Sequence, residues 1–528
     1  MRSKALFFGG RLTGRGFESL FIAFFVAFVI FPVFALPDIQ KAGPDDPKKL
    51  VKQAERAIRR GKLDEAEQLL RTAITANPKY SPAKLKLAFV YLKTRRLVDA
   101  YELSYAVAKE EPKNPYAFAV LGATMLSGGR FKDARIFFVN AIKIDRSESL
   151  AWAGLGMLDF YENDLGESIA NLQEAVYRDS TEPDYVYALA QVAARAEKYS
   201  EAAQAYEDFL KISRSADDER RDRIRGLIAF LRYLGGRSSL YDTAGAPTTK
   251  VPFELQGNRP YIKMRVNGRP EEYRFVLDTG SGISVISDET ARALKIKPVA
   301  KGGFAKGIGG DGKFQIVYGF AREMSIGDVI VRNVPVYIRK FHSPDVDGYI
   351  GLSLISKFLT TVDYGDLSFE LERRNEEAAA TATEMAGGVS LPLRLTSSGF
   401  LSGEVQVEGI ESPLNFIVDT GASVSVISDD IAALDVLAPH AKNEKMRVVG
   451  SAGIAEDVPS FLLPKISFGS HSSKGITAVA LDLDLINEAS GFEQAGILGG
   501  NFLRNYRMTF DFKNSKVTFV SINQEMKK

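Results

Sequence analysis

The sequence predicts a multidomain protein in which an all-α repeat solenoid is followed by an all-β region built as a duplicated pair of barrels. Two observations carry this prediction. Helical features recur every 34 residues in the first half of the chain, and a tripeptide between apolar runs occurs twice, 141 residues apart, in the second half. The chain has 528 residues, of which 45% are hydrophobic and 25% charged, as is typical of several folded domains.

Composition excludes several classes of function. A net charge of +2 gives no broad electrostatic attraction to nucleic acid, so we expect no nucleic-acid partner. The absence of cysteine excludes disulfides, thiolate nucleophiles and cysteine-bound zinc. The three histidines, His342, His440 and His471, do not have the spacing of metal ligands. We therefore expect neither a metal nor a cofactor.

Residues 1–36 are typical of an export segment. Four basic residues precede an uncharged stretch from Leu20 to Leu36, and Val33-Phe34-Ala35 resembles a signal-peptidase site. The segment is predicted to be a signal peptide or a membrane anchor, and a buried core helix is the third alternative. Because the basic flank stays in the cytoplasm, the bulk of the chain is expected to be extracytoplasmic, either periplasmic or secreted.

Residues 47–216 repeat with a period of 34. One position of the repeat is occupied in turn by Gly61, Arg95, Gly129, Asn163 and Glu197. A second is occupied by small residues, which allow close helix packing: Ala66, Ala100, Ala134, Ser168 and, one residue out of step, Ala203. Five helix pairs with this period resemble tetratricopeptide repeats; the alternative is an unrelated helical bundle. With a charged capping helix over 217–234, the solenoid is predicted to span 47–234, and the resemblance implies a protein partner on its concave face.

The tripeptide Asp-Thr-Gly occurs twice, as Asp278-Thr279-Gly280 and as Asp419-Thr420-Gly421. Each copy follows one apolar run and precedes another. Aligned from the two aspartates, the segments 278–288 and 419–429 agree at eight of eleven positions. Two matching strand–turn–strand frames indicate a duplicated site in which two carboxyl groups meet.

Paired carboxyl groups can activate water. When two of them lie in contact, both cannot ionise, so one keeps a proton while the other acts as a general base. Gly280 and Gly421 allow the close approach of two loops, and the hydroxyls of Thr279 and Thr420 can bond across to the opposite loop. Ser281 is expected to donate a hydrogen bond to its own aspartate and favour the ionised form, which would leave the shared proton on the second aspartate.

Each aspartate is followed, within its own half, by an apolar-apolar-Gly element: residues 347–352 in the first half and 495–500 in the second. In this order the motifs resemble those of the retropepsin-like aspartic peptidases of the pepsin and retroviral protease superfamily. The resemblance covers residues 251–373 and 389–522, and it implies two acid-protease barrel halves. It also implies hydrolysis of peptide bonds in a protein or peptide substrate, with Asp278 and Asp419 as the catalytic residues.

Glycine-rich stretches lie between the two motifs of each half. In the resembled family this is the position of a β-hairpin flap over the substrate, which implies flap roles for Gly307, Gly309, Gly310, Gly450 and Gly453. The first stretch also fits the dinucleotide pattern G-x-G-x-x-G. That pattern must open a helix, whereas residues 313–318 are typical of a strand, so we favour a flap.

Two segments are predicted to be linkers: 235–250 between solenoid and first half, and 374–388 between the halves. The second linker could span roughly 45 Å when extended, which is ample for pairing of the halves within one chain; pairing between two chains is the alternative. We therefore predict an exported aspartic endopeptidase that recruits proteins through its solenoid. The alternative function is a non-catalytic peptide-binding or scaffold protein in which the solenoid is the active part.

Overall fold

The computed structural model describes residues 46–213, 218–237, 239–310, 312–341, 345–373 and 388–522. The predicted export segment, residues 1–36, lies outside this described part of the chain. Among the helices that are described, none is long and apolar enough to cross a membrane.

In the described part of the chain, ten helices form five antiparallel pairs, and an eleventh helix follows them. Their bounds are α1 (Pro47–Arg59), α2 (Leu63–Ala76), α3 (Ser81–Lys93), α4 (Leu97–Glu110), α5 (Pro115–Ser127), α6 (Phe131–Ile144), α7 (Ser149–Tyr161), α8 (Leu165–Arg178), α9 (Pro183–Arg195), α10 (Tyr199–Ile212) and α11 (Asp218–Gly235). Alanines at the second repeat position, such as Ala66, Ala100 and Ala134, are fully buried where paired helices meet. The predicted α-solenoid is therefore confirmed.

The turn within each helix pair explains the first repeat position. Its occupants all have positive φ angles: Gly61 (71°), Arg95 (58°), Gly129 (72°), Asn163 (63°) and Glu197 (61°). A left-handed residue is needed there because the chain reverses direction in very few residues. The 34-residue spacing is thus the spacing of these turns.

The described β-region contains three sheets. The first half comprises β1 (Asp242–Gly245), β3 (Glu254–Gln256), β4 (Arg259–Val266), β5 (Tyr273–Leu277), β6 (Val285–Ser287), α12 (Asp288–Ala293), β7 (Ala300–Lys306), β8 (Lys313–Ile326), β9 (Val329–Arg339), β10 (Gly348–Ile350) and α13 (Leu352–Ile355). The second half comprises β14 (Arg394–Leu395), β15 (Leu401–Val407), β16 (Leu414–Val418), β17 (Ser425–Ser428), α14 (Asp429–Ala432), β18 (Ala441–Val449), β19 (Ile454–Leu462), β20 (Ile466–Phe468), β21 (His471–Ser473), β22 (Thr477–Leu481), α15 (Asp484–Ser490), β23 (Gly496–Leu498) and α16 (Gly500–Leu503). The third sheet comprises β2 (Thr248–Pro252), β11 (Phe358–Asp363), β12 (Ser368–Arg373), β13 (Val389–Pro392), β24 (Tyr506–Asp511) and β25 (Lys516–Ser521).

The third sheet joins the two halves. Its order is β13-β25-β24-β11-β12-β2, so strands of the first half lie beside strands of the second. At its centre Thr361 of β11 faces Thr509 of β24, and their hydroxyl oxygens lie 2.9 Å apart. The two threonines occupy equivalent positions of the two halves. The structure therefore pairs the halves within one chain, around a pseudo-two-fold axis.

The predicted linker at 235–250 is partly wrong. Residues 242–245 form β1, which pairs with β9 in the first half. Residues 248–252 form β2, which pairs with β12 in the central sheet. Short strands of this kind carry no strong hydrophobic alternation, because their stability comes from the free edge of a sheet that they cover. Gly245, with φ of 75°, lies at the end of β1, just before the turn into β2.

The row of repeat turns contacts the β-region. Four of the five turn residues make a polar contact there: Arg95 with Glu493, Gly129 O with Asn415 Nδ2 (3.4 Å), Asn163 Nδ2 with Phe512 O (3.1 Å), and Glu197 with Lys357. Phe492 is fully buried, with its ring centre 4.9 Å from the rings of both Phe131 and Tyr161. The solenoid and the second half therefore share an apolar contact edged by polar pairs.

The capping helix α11 has a second role. One side packs on α10, as a cap does, and another packs on β7 of the first half and contacts residues of β8. Phe230 stacks on Tyr318 with ring centres 4.4 Å apart. At Gly226 the two backbones are so close that a Cβ atom would lie 2.0 Å from Lys301 O. The helix connects the solenoid to the hairpin β7–β8.

Candidate functional site

Buried strands place the two aspartates. Asp278 directly follows β5 and Asp419 directly follows β16, whose apolar residues fill the core. The strands β10 and β23, which belong to the later motifs, run parallel beside β5 and β16. The amide of Asp278 donates to Ile350 O and the amide of Asp419 to Leu498 O, both at 3.0 Å. Each later motif therefore holds the loop that carries its aspartate.

The two threonines connect the loops. Thr279 Oγ1 donates to Val418 O at 2.7 Å, and Thr420 Oγ1 donates to Leu277 O at 2.8 Å. Each hydroxyl also accepts the backbone amide of the opposite threonine, at 3.1 and 3.2 Å. Both side chains are fully buried. Four hydrogen bonds shielded from water thus hold the halves in one relative position.

The glycines of the two motifs bring the carboxyl groups close together. A Cβ atom on Gly280 would lie 2.5 Å from the carboxyl carbon of Asp419. One on Gly421 would lie 2.8 Å from the carboxyl carbon of Asp278. Real Cβ atoms do not approach so closely, so no other residue fits without displacing a carboxyl group.

The two carboxyl groups form a hydrogen-bonded pair with unequal protonation. Burial raises the pKa of Asp278 well above its usual range, and the charge of Asp419 raises that pKa further. Burial also raises the pKa of Asp419, but backbone amides at Gly421, Gly280 and Ala422 oppose this increase, as does the hydrogen bond from Asp278. The Gly421 amide donates to Asp419 Oδ1 at 2.7 Å. The pKa of Asp278 is therefore raised further than that of Asp419, which favours the shared proton on Asp278 and the negative charge on Asp419.

This distribution corrects the expectation for Ser281. Its hydroxyl donates to Ile283 O at 2.8 Å, within its own loop, and so does not donate to Asp278. The charge on Asp419 is instead stabilised by backbone amides, one of which comes from the opposite loop. The hydrogen bond on which the assignment of the proton to Asp419 depended is therefore not formed, and Ser281 shapes its own turn.

Two β-hairpins cover the pair. The tip of β7–β8 meets the tip of β18–β19, where the amide of Gly310 donates to Ile454 O at 3.2 Å and the amide of Ala452 donates to Ile308 O at 2.8 Å. The first glycine-rich stretch therefore joins two strands. A dinucleotide-binding loop would instead lead into a helix. Backbone hydrogen bonds between the tips close the site from above.

The five predicted flap glycines, Gly307, Gly309, Gly310, Gly450 and Gly453, all lie at these two tips. A Cβ atom on Gly309 would lie 2.2 Å from Gly453 O, and one on Gly450 would lie 2.2 Å from Ile308 O. The tips can therefore meet only while these positions have no side chain.

A cavity of about 1980 Å³ extends from the carboxyl pair to the solenoid. Asp278 and Asp419 line it, together with flap residues and with Tyr187 and Gln191 of α9. Residues of the solenoid thus line the same space as the paired aspartates. The volume is sufficient for an extended peptide of several residues.

One charged residue near the pair was missed by the sequence analysis. Arg339, the last residue of β9, lines the cavity, and its positive charge lowers the pKa of Asp278. An arginine at the end of an apolar strand does not by itself indicate a functional residue. Alignment of the two halves strand by strand would have shown that this position is charged in one half only. In the described part of the chain no group of histidine, aspartate and glutamate residues could hold a metal ion.

Comparison with known proteins agrees with the order of these regions. A family model described as aspartyl protease matches residues 262–354 and 403–502. Two models described as tetratricopeptide repeat match residues 57–104 and 154–217. No curated protein matches the chain.

Several solved structures match part of the chain. A thermophilic TPR protein of Thermus thermophilus is 17% identical over 35% of this chain and 99% of its own, with a TM-score of 0.31. Pseudomonas aeruginosa PilF is 16% identical over 36% of this chain and 86% of its own, with a TM-score of 0.27. The Cut9–Hcn1 hetero-tetramer of APC/C contains a chain that is 15% identical over 37% of this chain and 38% of its own, with a TM-score of 0.32.

Proposed function

Because the chain carries an aspartyl protease region in two segments behind tetratricopeptide repeats, we propose that it is an aspartic endopeptidase. Asp278 and Asp419 are its catalytic residues. The observation that supports this most directly is the buried carboxyl pair, which shares one proton beneath two closed flaps. A pair with one acid and one base is suited to activating water against an amide.

In the proposed reaction, a water molecule lies between the two carboxyl groups. Asp419, the charged partner, takes a proton from the water as its oxygen attacks the scissile carbonyl carbon, while Asp278 donates its proton to the carbonyl oxygen. The resulting diol collapses: its C–N bond breaks, a proton passes from Asp419 to the leaving nitrogen, and Asp278 recovers a proton from a diol hydroxyl. The pair returns to its starting state and needs no other group.

The solenoid is proposed to bind a protein, either the substrate itself or a partner that delivers it. Tetratricopeptide arrays present concave surfaces for protein binding, and here residues of the solenoid line the cavity of the aspartates. The basic and apolar pattern of residues 1–36 supports export, so the peptidase would act outside the cytoplasm, with or without a membrane anchor. Protection of the β-region from added protease in intact cells, together with cytoplasmic markers, would contradict export.

The function is tested with Asp278→Asn and Asp419→Asn. Each variant removes the acid–base difference but keeps the shape, so each should lose cleavage of a mixed peptide library by at least about 1,000-fold. Ser281→Ala, which alters the same loop without touching the proton, is the matched control and should stay active. A wild-type protein that binds peptides but cleaves none would support the non-catalytic alternative.

A further inference from the structure

The cleft has two walls, the first formed by the first half of the β-region and the second by the second half. They differ at positions that are equivalent in the two halves. Strand register identifies the pairs. In the first half Tyr349 of β10 lies opposite Val276 of β5, and in the second half Ile497 of β23 lies opposite Ile417 of β16. Val276 and Ile417 each stand two residues before an aspartate of the pair. Tyr349 and Ile497 are therefore equivalent.

A second pair follows from the strands on the other side. Arg339 of β9 lies opposite Ser287 of β6, and Leu481 of β22 lies opposite Ser428 of β17. Both serines cap the short helix that follows their strand. Arg339 in the first wall is thus replaced by Leu481 in the second.

The third pair lies on the strands β4 and β15. Tyr261 lies opposite Val276 of β5, and Ser402 lies opposite Ile417 of β16. Because Val276 and Ile417 are equivalent, Tyr261 and Ser402 are equivalent too. Arg259 stands two residues before Tyr261, and Phe400 stands two residues before Ser402. An arginine in the first wall again corresponds to an apolar residue in the second.

The first wall is cationic. Arg259 and Arg339 both line the cavity that contains the aspartates. The Nε atom of each guanidinium is buried without a hydrogen-bond partner, although other nitrogens donate to Tyr261 Oη (2.6 Å) and Ser451 O (2.6 Å). Within the described residues, neither arginine forms a salt bridge with a carboxylate. The first wall therefore presents two partly buried cations whose Nε donors are open to an acceptor on a bound peptide.

The second wall is apolar. Leu481, Ile497 and Phe400 belong to one hydrophobic cluster, which is completed toward the flap and the helix α15 by Met446, Val448 and Ile486. Phe400 and Leu481 are only partly buried, and both line the cavity. This wall can therefore bury an apolar side chain of a bound peptide.

We propose that the cleft selects a peptide with an aspartate or glutamate side chain on one side of the scissile bond and an apolar side chain on the other. The carboxylate lies against Arg259 and Arg339, and the apolar side chain lies against Phe400, Leu481 and Ile497. This specificity rests on the proposed peptidase function. Charge-assisted hydrogen bonds from guanidinium groups to a carboxylate are strong in a site shielded from water. The uncharged side-chain amide of glutamine or asparagine would form weaker hydrogen bonds with the same donors.

The test compares fluorogenic peptides that differ in the two residues that flank the scissile bond. In order along the peptide these residues are Glu/Leu, Leu/Glu, Gln/Leu, Leu/Gln or Leu/Leu, and all peptides have blocked ends. The better glutamate peptide should have a kcat/KM about 10- to 100-fold above its glutamine counterpart, as one charge-assisted contact implies. Equal values for glutamate and glutamine would overturn the proposal. A shorter peptide with a free C-terminal carboxylate is included, and preference for it over internal glutamate would show that a chain end is recognised instead.

Arg339→Gln assigns the effect to the cationic wall. It should lower the ratio of glutamate to glutamine cleavage to about one, whatever it does to the overall rate. Arg447→Gln is the matched control, because Arg447 also lines the cavity but already pairs with Glu456 at 2.9 Å; it should leave the ratio unchanged. A ratio that survives in Arg339→Gln would contradict the assignment.

Binding separates this inference from the peptidase function. The same peptides are titrated into the Asp419→Asn protein, and the glutamate preference should persist as a difference in Kd. If the wild-type protein cleaves none of them yet binds with this preference, the peptidase function fails and the recognition stands. If it cleaves them without preference, the recognition alone fails.

Discussion

At the scale of single residues, close approach decides whether the aspartates can share a proton. Gly280→Ala would place a methyl group 2.5 Å from the carboxyl carbon of Asp419 and push the pair apart. A displacement of about 1 Å is expected to lower kcat/KM by roughly 100-fold. Gly166→Ala is the control, since a Cβ atom there meets only Asp164 Oδ1 at 3.9 Å. Steady-state kinetics, with circular dichroism to verify folding, measure both; normal activity of Gly280→Ala would contradict the geometry.

The protonation of Asp278 also affects stability. Because its pKa is raised by burial, the folded protein holds this proton more tightly than the unfolded chain does. The resulting stabilisation is complete below the ordinary carboxyl pKa of 3.8 and is lost as pH rises toward the raised pKa of the folded state. Asp278→Asn needs no proton, so it should match the wild type in acid and become increasingly more stable than it as pH rises.

Urea unfolding across the range from about pH 3 to pH 8 checks this difference, because it follows the free energy of unfolding of both proteins. Glu271→Gln, which removes an exposed carboxylate, should show no such growing difference. A constant offset between Asp278→Asn and the wild type would mean that the pKa of Asp278 is not raised.

At the scale of elements, the two flaps are supported unequally. The hairpin β7–β8 lies against α11, whereas most of β18 is exposed. The flap of the second half is therefore expected to open more readily to admit a peptide. Hydrogen exchange should be faster for amides of residues 441–462 than for those of 300–318. Faster exchange in the first flap would reverse this assignment.

The contact between α11 and the first flap can be weakened by one substitution. Phe230 is 2% exposed and stacks on Tyr318, so Phe230→Ala should increase exchange in β7 and β8 while leaving the second flap unchanged. Arg225→Ala, on the same helix but with a 59% exposed side chain, is the control and should change neither flap. Equal behaviour of the two variants would show that α11 does not restrain the hairpin.

At the scale of the whole molecule, solenoid and β-region are expected to unfold together. Arg195 donates to Leu395 O (3.4 Å) and Ser397 O (3.3 Å) of the second half while its guanidinium lies 3.7 Å from the ring centre of Phe160. A fragment that begins at Val251 would cut β2 and would also uncover Phe492. Such a fragment is therefore a poor test of the peptidase on its own.

Phe492→Ala should weaken this contact. Deletion of a fully buried phenylalanine costs about 3–5 kcal/mol, which should convert one calorimetric transition into two. Tyr177→Ala, which removes a 79% exposed ring from the solenoid, should keep a single transition. Two transitions already present in the wild type would mean that the contact does not couple the regions.

The sequence by itself determined the features that depend on local chemistry. The 34-residue period is visible because three of the five turns with positive φ carry glycine or asparagine, and because every repeat has a small residue where its helices touch. The paired tripeptides are visible because only glycine permits the approach of the carboxyl groups and threonine supplies the cross-loop bonds. The aspartyl protease and repeat families were recognised for the same reason, since their motifs are short and their residues have few substitutes.

Only the tertiary structure decided what depends on partners distant in the chain. The strands at 242–252 are stabilised by the sheet edges they cover, and their own residues resemble a linker. Amides of both loops lower the pKa of Asp419 against the effect of burial, and no local pattern reveals this. Arg339 and Leu481 are recognised as equivalent only because each lies opposite the capping serine of its own half, Ser287 in the first and Ser428 in the second. Periodicity and motifs report forces between near neighbours, whereas docking, protonation and subsite chemistry arise from groups that folding brings together.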